Sequence, residues 1–167
     1  MKKFKTVSAV QAQMKQSIIM AVETRIREVA TRVVKQYIQK NVYEAYIPQG
    51  ESAYDRTFEL LNSVTVGNLV VGSKHVSFEI YMDTNVMTPQ IRNGVFGYGG
   101  WNAHADVNSI DVSEYIPQWI EEGTEGSLHD REGAHYMEDA YYDLGYGDLA
   151  HALADSLRSQ GWKVISV

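Results

Sequence analysis

The segment SAVQAQMKQSIIMAVETRIREVATRVVKQYIQKNVYEA, residues 8–45, decides the fold. Val10, Met14, Ile18, Val22, Ile26, Val29, Val33 and Tyr37 recur at steps of three or four, the spacing of one face of an α-helix. Gln13, Lys15, Arg25, Arg27, Arg32 and Lys35 fill polar positions between them. No glycine or proline interrupts the run, and Ser8 is the expected N-cap. A helix of ~35 residues is ~50 Å long at 1.5 Å per residue. That exceeds the width of a small domain, and a single apolar stripe of this length needs a surface to cover it.

Downstream, Pro48-Gln49-Gly50 ends the helical run. Ser52-x-x-Asp55 has the form of a cap for a short helix through Leu61. Ser63–Val71 and Lys74–Asp83 read as two strands joined near Gly72-Ser73. In the second, Val76, Phe78, Ile80 and Met82 fall on one face and Ser77, Glu79 and Tyr81 on the other. Residues 84–112 show no period and place Phe96, Tyr98 and Trp101 among glycines. Two readings fit: a long loop that orders on a partner, or a loop folded over the sheet with its aromatics tucked in. Three helices follow, over Ser113–Glu122, His135–Leu144 and Asp148–Gln160, with Ser113 as an N-cap and Gly123 as a C-cap. Trp162–Val167 reads as a final strand. The expected fold is α+β. A long N-terminal helix packs on a small, mostly antiparallel sheet, with C-terminal helices and a last strand, in a single domain over 1–167 with a long flexible loop at 84–112.

Composition narrows the class of function. The 167 residues are 44% apolar and 22% charged, as in soluble globular proteins. At this length about 70% of the unfolded surface is buried on folding, enough for an ordinary core. No apolar run approaches the ~20 residues that span a bilayer. The basic start leads into polar helical sequence and not an apolar signal core. With no cysteine, disulfides, thiolate metal sites and cysteine nucleophiles are excluded. The net charge of −6 conceals a gradient. Residues 1–40 carry nine Lys/Arg against two acids, a net of +7, and residues 41–167 carry six against nineteen, a net of −13. Such polarity points to contact between basic and acidic surfaces, or between the basic end and DNA.

Motifs for chemistry are weak. His104-x-Asp106, His129-Asp130, His135-x-x-Glu138-Asp139 and His151 with Asp155 place imidazoles near carboxylates, and the last pair shares a helical face. None completes a metal signature such as H-E-x-x-H, and surface residues of an acidic region explain them more simply. There is no G-x-S-x-G elbow, and Ser127 sits in a polar turn. Gly97-Tyr98-Gly99-Gly100 lacks the context of a phosphate-binding loop. The basic helix has the charge for a loose electrostatic contact with DNA but no recognition-helix setting. A metal-dependent enzyme and a small nucleic-acid-binding factor therefore stand as alternatives to a structural role, and no cofactor is expected.

One resemblance carries the main expectation. Tyr43, Tyr46 and Pro48, followed by Tyr54-Asp55-Arg56-Thr57-Phe58-Glu59-Leu60-Leu61, resemble the tail-completion (neck, minor tail) family of long-tailed bacteriophages. In that family a long N-terminal helix leads into Tyr-x-Arg-Thr-x-x-Leu and then paired strands. Ile120-Glu121-Glu122-Gly123-Thr124 is similar to its Glu-Gly-Thr element. The likeness covers roughly residues 8–83 and 113–167, and the stretch 84–112 is longer than the family pattern. Read physically, Tyr54, Arg56, Thr57, Leu60, Glu122 and Gly123 form a structural corner, with the guanidinium fork of Arg56 suited to a carboxylate or bare carbonyls.

The resemblance implies a virion protein of the neck or tail, assembled in the host cytoplasm and without enzymatic activity. It would form a ring of six or twelve copies between a portal adaptor or connector and a tail tube or tail terminator, with at most passing contact with packaged DNA and none with a membrane. Expected interfaces are the basic helix (Lys15, Arg25, Arg27, Arg32, Lys35), the loop (Phe96, Tyr98, Trp101) and the acidic region (Glu121, Glu125, Glu138, Asp139).

Overall fold

A computed structural model describes residues 6–45, 58–87, 91–92, 101–102, 113–124 and 131–165. The chain is helical from Val7 to Glu44, as α1 (Val7–Ala21), a π-turn (Val22–Ile26), α2 (Arg27–Ile38) and a second π-turn (Gln39–Glu44). The cap is Thr6 and not Ser8. Thr6 is the last extended residue, and its hydroxyl accepts from the Ala9 N–H at 3.2 Å. In the π-turns the amides reach back five residues, Arg27 to the Val22 carbonyl and Ala45 to that of Lys40. Each wide turn adds one residue and rotates the side chains beyond it. The buried positions accordingly differ from a single stripe. Val22, Ile26, Val29 and Val33 are core, joined by Ala21, Ala30, Val34, Ile38 and Val42, whereas Val10, Met14 and Ile18 are only half-buried.

The remaining elements are α3 (Glu59–Ser63), β1 (Val64–Val66), β2 (Val70–Val71), β3 (Val76–Ser77), β4 (Ile80–Met82), β5 (Ile91–Arg92), β6 (Trp101–Asn102), α4 (Ile116–Glu122), β7 (Gly123–Thr124), β8 (Arg131–Glu132), α5 (Tyr136–Asp143) and α6 (Leu149–Ser159). β1 pairs with β4, and the pairs β2–β3, β5–β6 and β7–β8 are antiparallel. The fold is α+β, as expected. The alternation from Val76 to Met82 holds: Val76, Phe78, Ile80 and Met82 are half-buried, and Ser77, Glu79 and Tyr81 are exposed.

Four expectations are corrected. The short helix runs over Glu59–Ser63, after Phe58 in a left-handed conformation (φ 55°), and does not continue back from Glu59; Ser52 and Asp55 themselves lie outside the described residues. Ser63–Val71 is broken at residues 67–69, where Gly67 donates to the Glu79 carbonyl at 2.9 Å and its own carbonyl accepts from Arg27. Residues 84–112 are not one structureless loop. Thr84–Val86 is a 3-10 turn capped by the Asp83 carboxylate, Met87 is buried, and Ile91–Arg92 pairs with Trp101–Asn102. Trp162–Ile165 is not a strand. Gly161, at φ 86°, turns the chain back. Trp162 and Gly161 donate to the carbonyls of Leu157 and Arg158, the double bond pattern that closes a helix end.

The chain forms two compact units. The first comprises residues 1–33, 66–80 and 140–167. In it α6 packs along α1 and the first π-turn, over a core that includes Ala21, Val22, Ile26, Ala152 and Ala154. Ser17, buried within α1, accepts the indole N–H of Trp162 at 2.9 Å, and its carbonyl accepts from the Gln160 side chain at 3.1 Å. The second comprises residues 34–65 and 81–139 and buries Val34, Ile38, Val42, Tyr43, Leu60, Val64, Met87 and Tyr136. Among the described residues no helix is long and apolar enough to cross a membrane.

Candidate functional site

Charge separates along the unit boundary. By sequence the first unit has ten Lys/Arg against six Asp/Glu, a net of +4, and the second has five against fifteen, a net of −10. Several of the first unit's cations are engaged within it. Arg27 donates to the carbonyls of Val66 (3.4 Å) and Gly67 (2.8 Å), which fixes the helix to the backbone beyond β1. Lys15 donates to the Gly72 carbonyl at 3.3 Å, Arg25 pairs with Glu28 at 3.0 Å, and Arg32 lies 3.9 Å from Asp148. Lys35, in the second unit, is half-buried.

In the second unit the Glu-Glu-Gly-Thr stretch builds a corner. Gly123 closes α4 at φ 89°. The Glu121 carboxylate reaches the start of α5 and accepts from the amides of Met137 (2.9 Å) and Glu138 (3.0 Å). These are two of the orphan donors every helix start carries, so Glu121 caps α5 from another helix. The Ala134 and His135 amides return to the carbonyls of Ile120 and Glu121. Gly133 passes so near that a Cβ there would lie 2.5 Å from the Glu121 carbonyl oxygen. Asn41 closes the corner from the long helix, donating to the Ala134 carbonyl (2.9 Å) and the Asp139 carboxylate (2.8 Å). Buried Tyr136 donates to the Pro117 carbonyl at 3.2 Å. Burial raises its phenol well above the ordinary range, and the charge of Glu121 and the nearby Tyr43 add to the effect.

The outer side of the same unit is apolar and acidic. Tyr115 and Trp119, one helical turn apart, stack with ring centroids 5.9 Å apart and are 47% and 42% exposed. Glu114 and Glu122 flank them, both exposed. A hydrogen bond to the Glu114 carboxylate, with its charge, raises the Tyr115 phenol above its usual value. In the first unit, α1 and the β2–β3 hairpin enclose an open groove of about 590 Å³ lined by Val10, Met14, Ile18, Val76, Lys15 and Lys74.

The expected residues are thus distributed. Leu60 is buried, Glu122 accepts from Gln118 at 3.1 Å, and Glu138 lies 3.4 Å from His135. Glu121 and Asp139 hold the corner. Tyr54, Arg56, Thr57, Phe96, Tyr98 and Glu125 lie outside the described residues, as do His104, Asp106, His129 and Asp130, and Trp101 contributes backbone to β6. The His151 and Asp155 side chains each have a partner other than the other. His151 bonds the Gly147 carbonyl at 2.8 Å, and Asp155 pairs with Arg158 at 2.8 Å. Among the described residues no three His, Asp or Glu side chains gather as a metal would require. Asn41, Gly133, Ser17 and Trp162 escaped sequence reading, because nothing local marks a residue whose partner lies far along the chain.

Residues 6–159 match the YomN family. The chain belongs to the YomN family. This is a phage-derived, Bacillus-type family, and the match runs from the start of the long helix to the end of α6 and takes in residues of both units, so the chain is a phage-related protein. No curated protein and no solved structure matches the chain.

Proposed function

We propose that this YomN-family protein is a structural virion component that joins head to tail, a neck or tail-completion ring subunit acting by protein–protein assembly and not by catalysis. The observation that carries the reading is the opposite charge of the two units, +4 and −10, in a chain of a phage-derived family. Oppositely charged units on one subunit favour contact between unlike units of different copies and disfavour like-to-like contact. A ring of six or twelve copies would sit between a portal adaptor or connector and the tail tube or terminator.

The corner around Glu121 supports the same reading. A ring subunit must hold its surfaces at a fixed angle, and the second unit fixes α4 on α5 through a cap, a close glycine approach and the Asn41 bridge. The test is a phage carrying a deletion of this gene. Filled heads and free tails should then sediment separately and join when purified protein is added. Normal joined virions from the deletion, or absence of the protein from purified wild-type virions by mass spectrometry, would overturn the proposal.

A further inference from the structure

We infer that the stacked Tyr115–Trp119 pair of one copy inserts into the α1/β2–β3 groove of the next, making a head-to-tail contact between identical chains. This deepens the ring proposal and rests on it for its setting.

The two surfaces are alike in apolar character and opposite in charge. The inserting element is α4, where two large aromatic rings stack and stand nearly half exposed. Tyr and Trp are the side chains most enriched among residues that dominate interface energy, and each buries ~150–250 Å² when covered. The receiving element is concave, about 590 Å³, with a floor of Val10, Met14, Ile18 and Val76. Clefts of ~300–1,000 Å³ with apolar walls and few polar groups are the usual size for binding a compact apolar group. The rims match in sign. Glu114 and Glu122 flank the aromatic pair, and Lys15 and Lys74, both exposed, edge the groove. The units that carry them differ in the same sense, −10 for the inserting one and +4 for the receiving one.

A second copy is the occupant these features select. The two surfaces are different patches of one chain, so the contact is heterologous: each copy uses its aromatic pair on one neighbour and its groove on the other. Repetition gives a ring if the rotation closes and a filament if it does not. The groove also accounts for the half-burial of Val10, Met14 and Ile18 on α1, where Val22, Ile26, Val29 and Val33 further along the chain are core.

The chain has no cysteine, so cross-linking is clean. Gln11 on the groove and Gln118 on α4 are both exposed and polar, so cysteine at either leaves the packing intact. The full-length double variant Gln11→Cys/Gln118→Cys is treated with a short bismaleimide at low salt, and the linked peptides are read by mass spectrometry. The expected result is a ladder of oligomers in which 11–118 links dominate. A mixture of the two single-cysteine variants should give a 1:1 dimer through the same link. Adding Trp119→Ala or Met14→Glu should lower the yield at least about tenfold, since loss of a central aromatic exceeds the ~1.4 kcal/mol that a factor of ten represents. Circular dichroism confirms that these variants are folded. Dominant 11–11 or 118–118 links, no ladder, or a ladder indifferent to both substitutions would overturn the contact. Incorporation of the cross-linking-dead variant into virions separates the two ideas: normal incorporation without 11–118 links rejects this contact and keeps the virion role, whereas 11–118 links in a protein absent from virions keeps the contact and rejects the role.

Discussion

Glu121 offers a direct measure of the corner. Its two carboxylate oxygens accept from consecutive amides, Met137 at 2.9 Å and Glu138 at 3.0 Å, at the first turn of α5. Replacing a capping side chain with Ala costs ~0.5–2 kcal/mol. Here two donors lose a charged acceptor, but the Glu138 end is exposed and water replaces part of the bond, so Glu121→Ala should cost about 2 kcal/mol. Glu121→Gln keeps one oxygen without the charge and should cost about half as much, ~1 kcal/mol. For a chain of this size 1 kcal/mol moves the melting temperature by roughly 2–4 °C, so the alanine variant should melt roughly 4–8 °C lower. Amide exchange gives the site-specific reading. Protection at Met137 and Glu138 should fall by about 30-fold in Glu121→Ala, the equivalent of ~2 kcal/mol, and by less in Glu121→Gln. Unchanged protection at those two amides in the alanine variant would refute the cap, whatever happened to the melting temperature.

Three further substitutions extend the test, two in the second unit and one control in the first. Gly133→Ala brings a Cβ to 2.5 Å from the Glu121 carbonyl oxygen, so backbone must move, and thermal unfolding should show a loss of about 2–3 kcal/mol. Gly145→Ala has nothing within 4 Å of the new Cβ and should be neutral or stabilising by up to ~1 kcal/mol; equal effects from the two would sink the close-approach argument. Tyr136→Phe loses the bond to the Pro117 carbonyl and should cost ~1 kcal/mol at neutral pH. Because the folded phenol is held above its ordinary value of 10.0, its contribution is complete below pH ~10 and declines as pH rises further, when the unfolded chain ionises first. Denaturant titrations should therefore show wild-type stability falling faster above pH ~10 than that of Tyr136→Phe, by up to ~1.4 kcal/mol per pH unit. Parallel curves would count against the burial of this phenol.

Much of the fold was legible because it is written in short-range periodicity. The helix over Val7–Glu44, the strand face Val76–Met82 and the helices α4, α5 and α6 all follow patterns of two or of three to four residues. The misses share a cause. A cap at Thr6 instead of Ser8 is a shift of two residues between equally good caps. The π-turns are invisible to a periodicity count, yet they redirect the buried face of the long helix. Trp162 has strand-like neighbours in sequence, but Ser17, 145 positions away, takes its indole N–H and Gly161 reverses the chain. At the candidate surfaces, Tyr115 and Trp119 had the spacing of a core face, and only the packed structure places them outside. For the same reason the sequence does not show that the acidic residues Glu121 and Asp139, expected at an interface, also fasten the corner.

The internal use of these basic residues changes how charge would act in the proposed assembly. Arg27 holds the backbone at the end of β1, Arg25 and Arg32 already face carboxylates, and Lys15 is on a carbonyl at the groove rim. In the proposed ring a neighbouring subunit would meet a net charge of +4 on this unit more than a row of vacant cations. Such a field would steer approach and select which units meet, but it is screened over ~8–10 Å at physiological salt and would contribute little to holding a formed contact. In that ring, holding would fall to apolar burial, the role inferred above for the Tyr115–Trp119 pair and the α1/β2–β3 groove. It also separates the variants that inform. Reversal of Arg27 strips two backbone carbonyls of their donor and reports on folding, whereas reversal of exposed Arg25, whose Glu28 partner is also exposed, alters the field with the fold intact. Arg25→Glu should slow joining at low salt, and its difference from wild type should vanish at high salt, where the field is screened; a defect that persists undiminished at high salt would refute steering by this field.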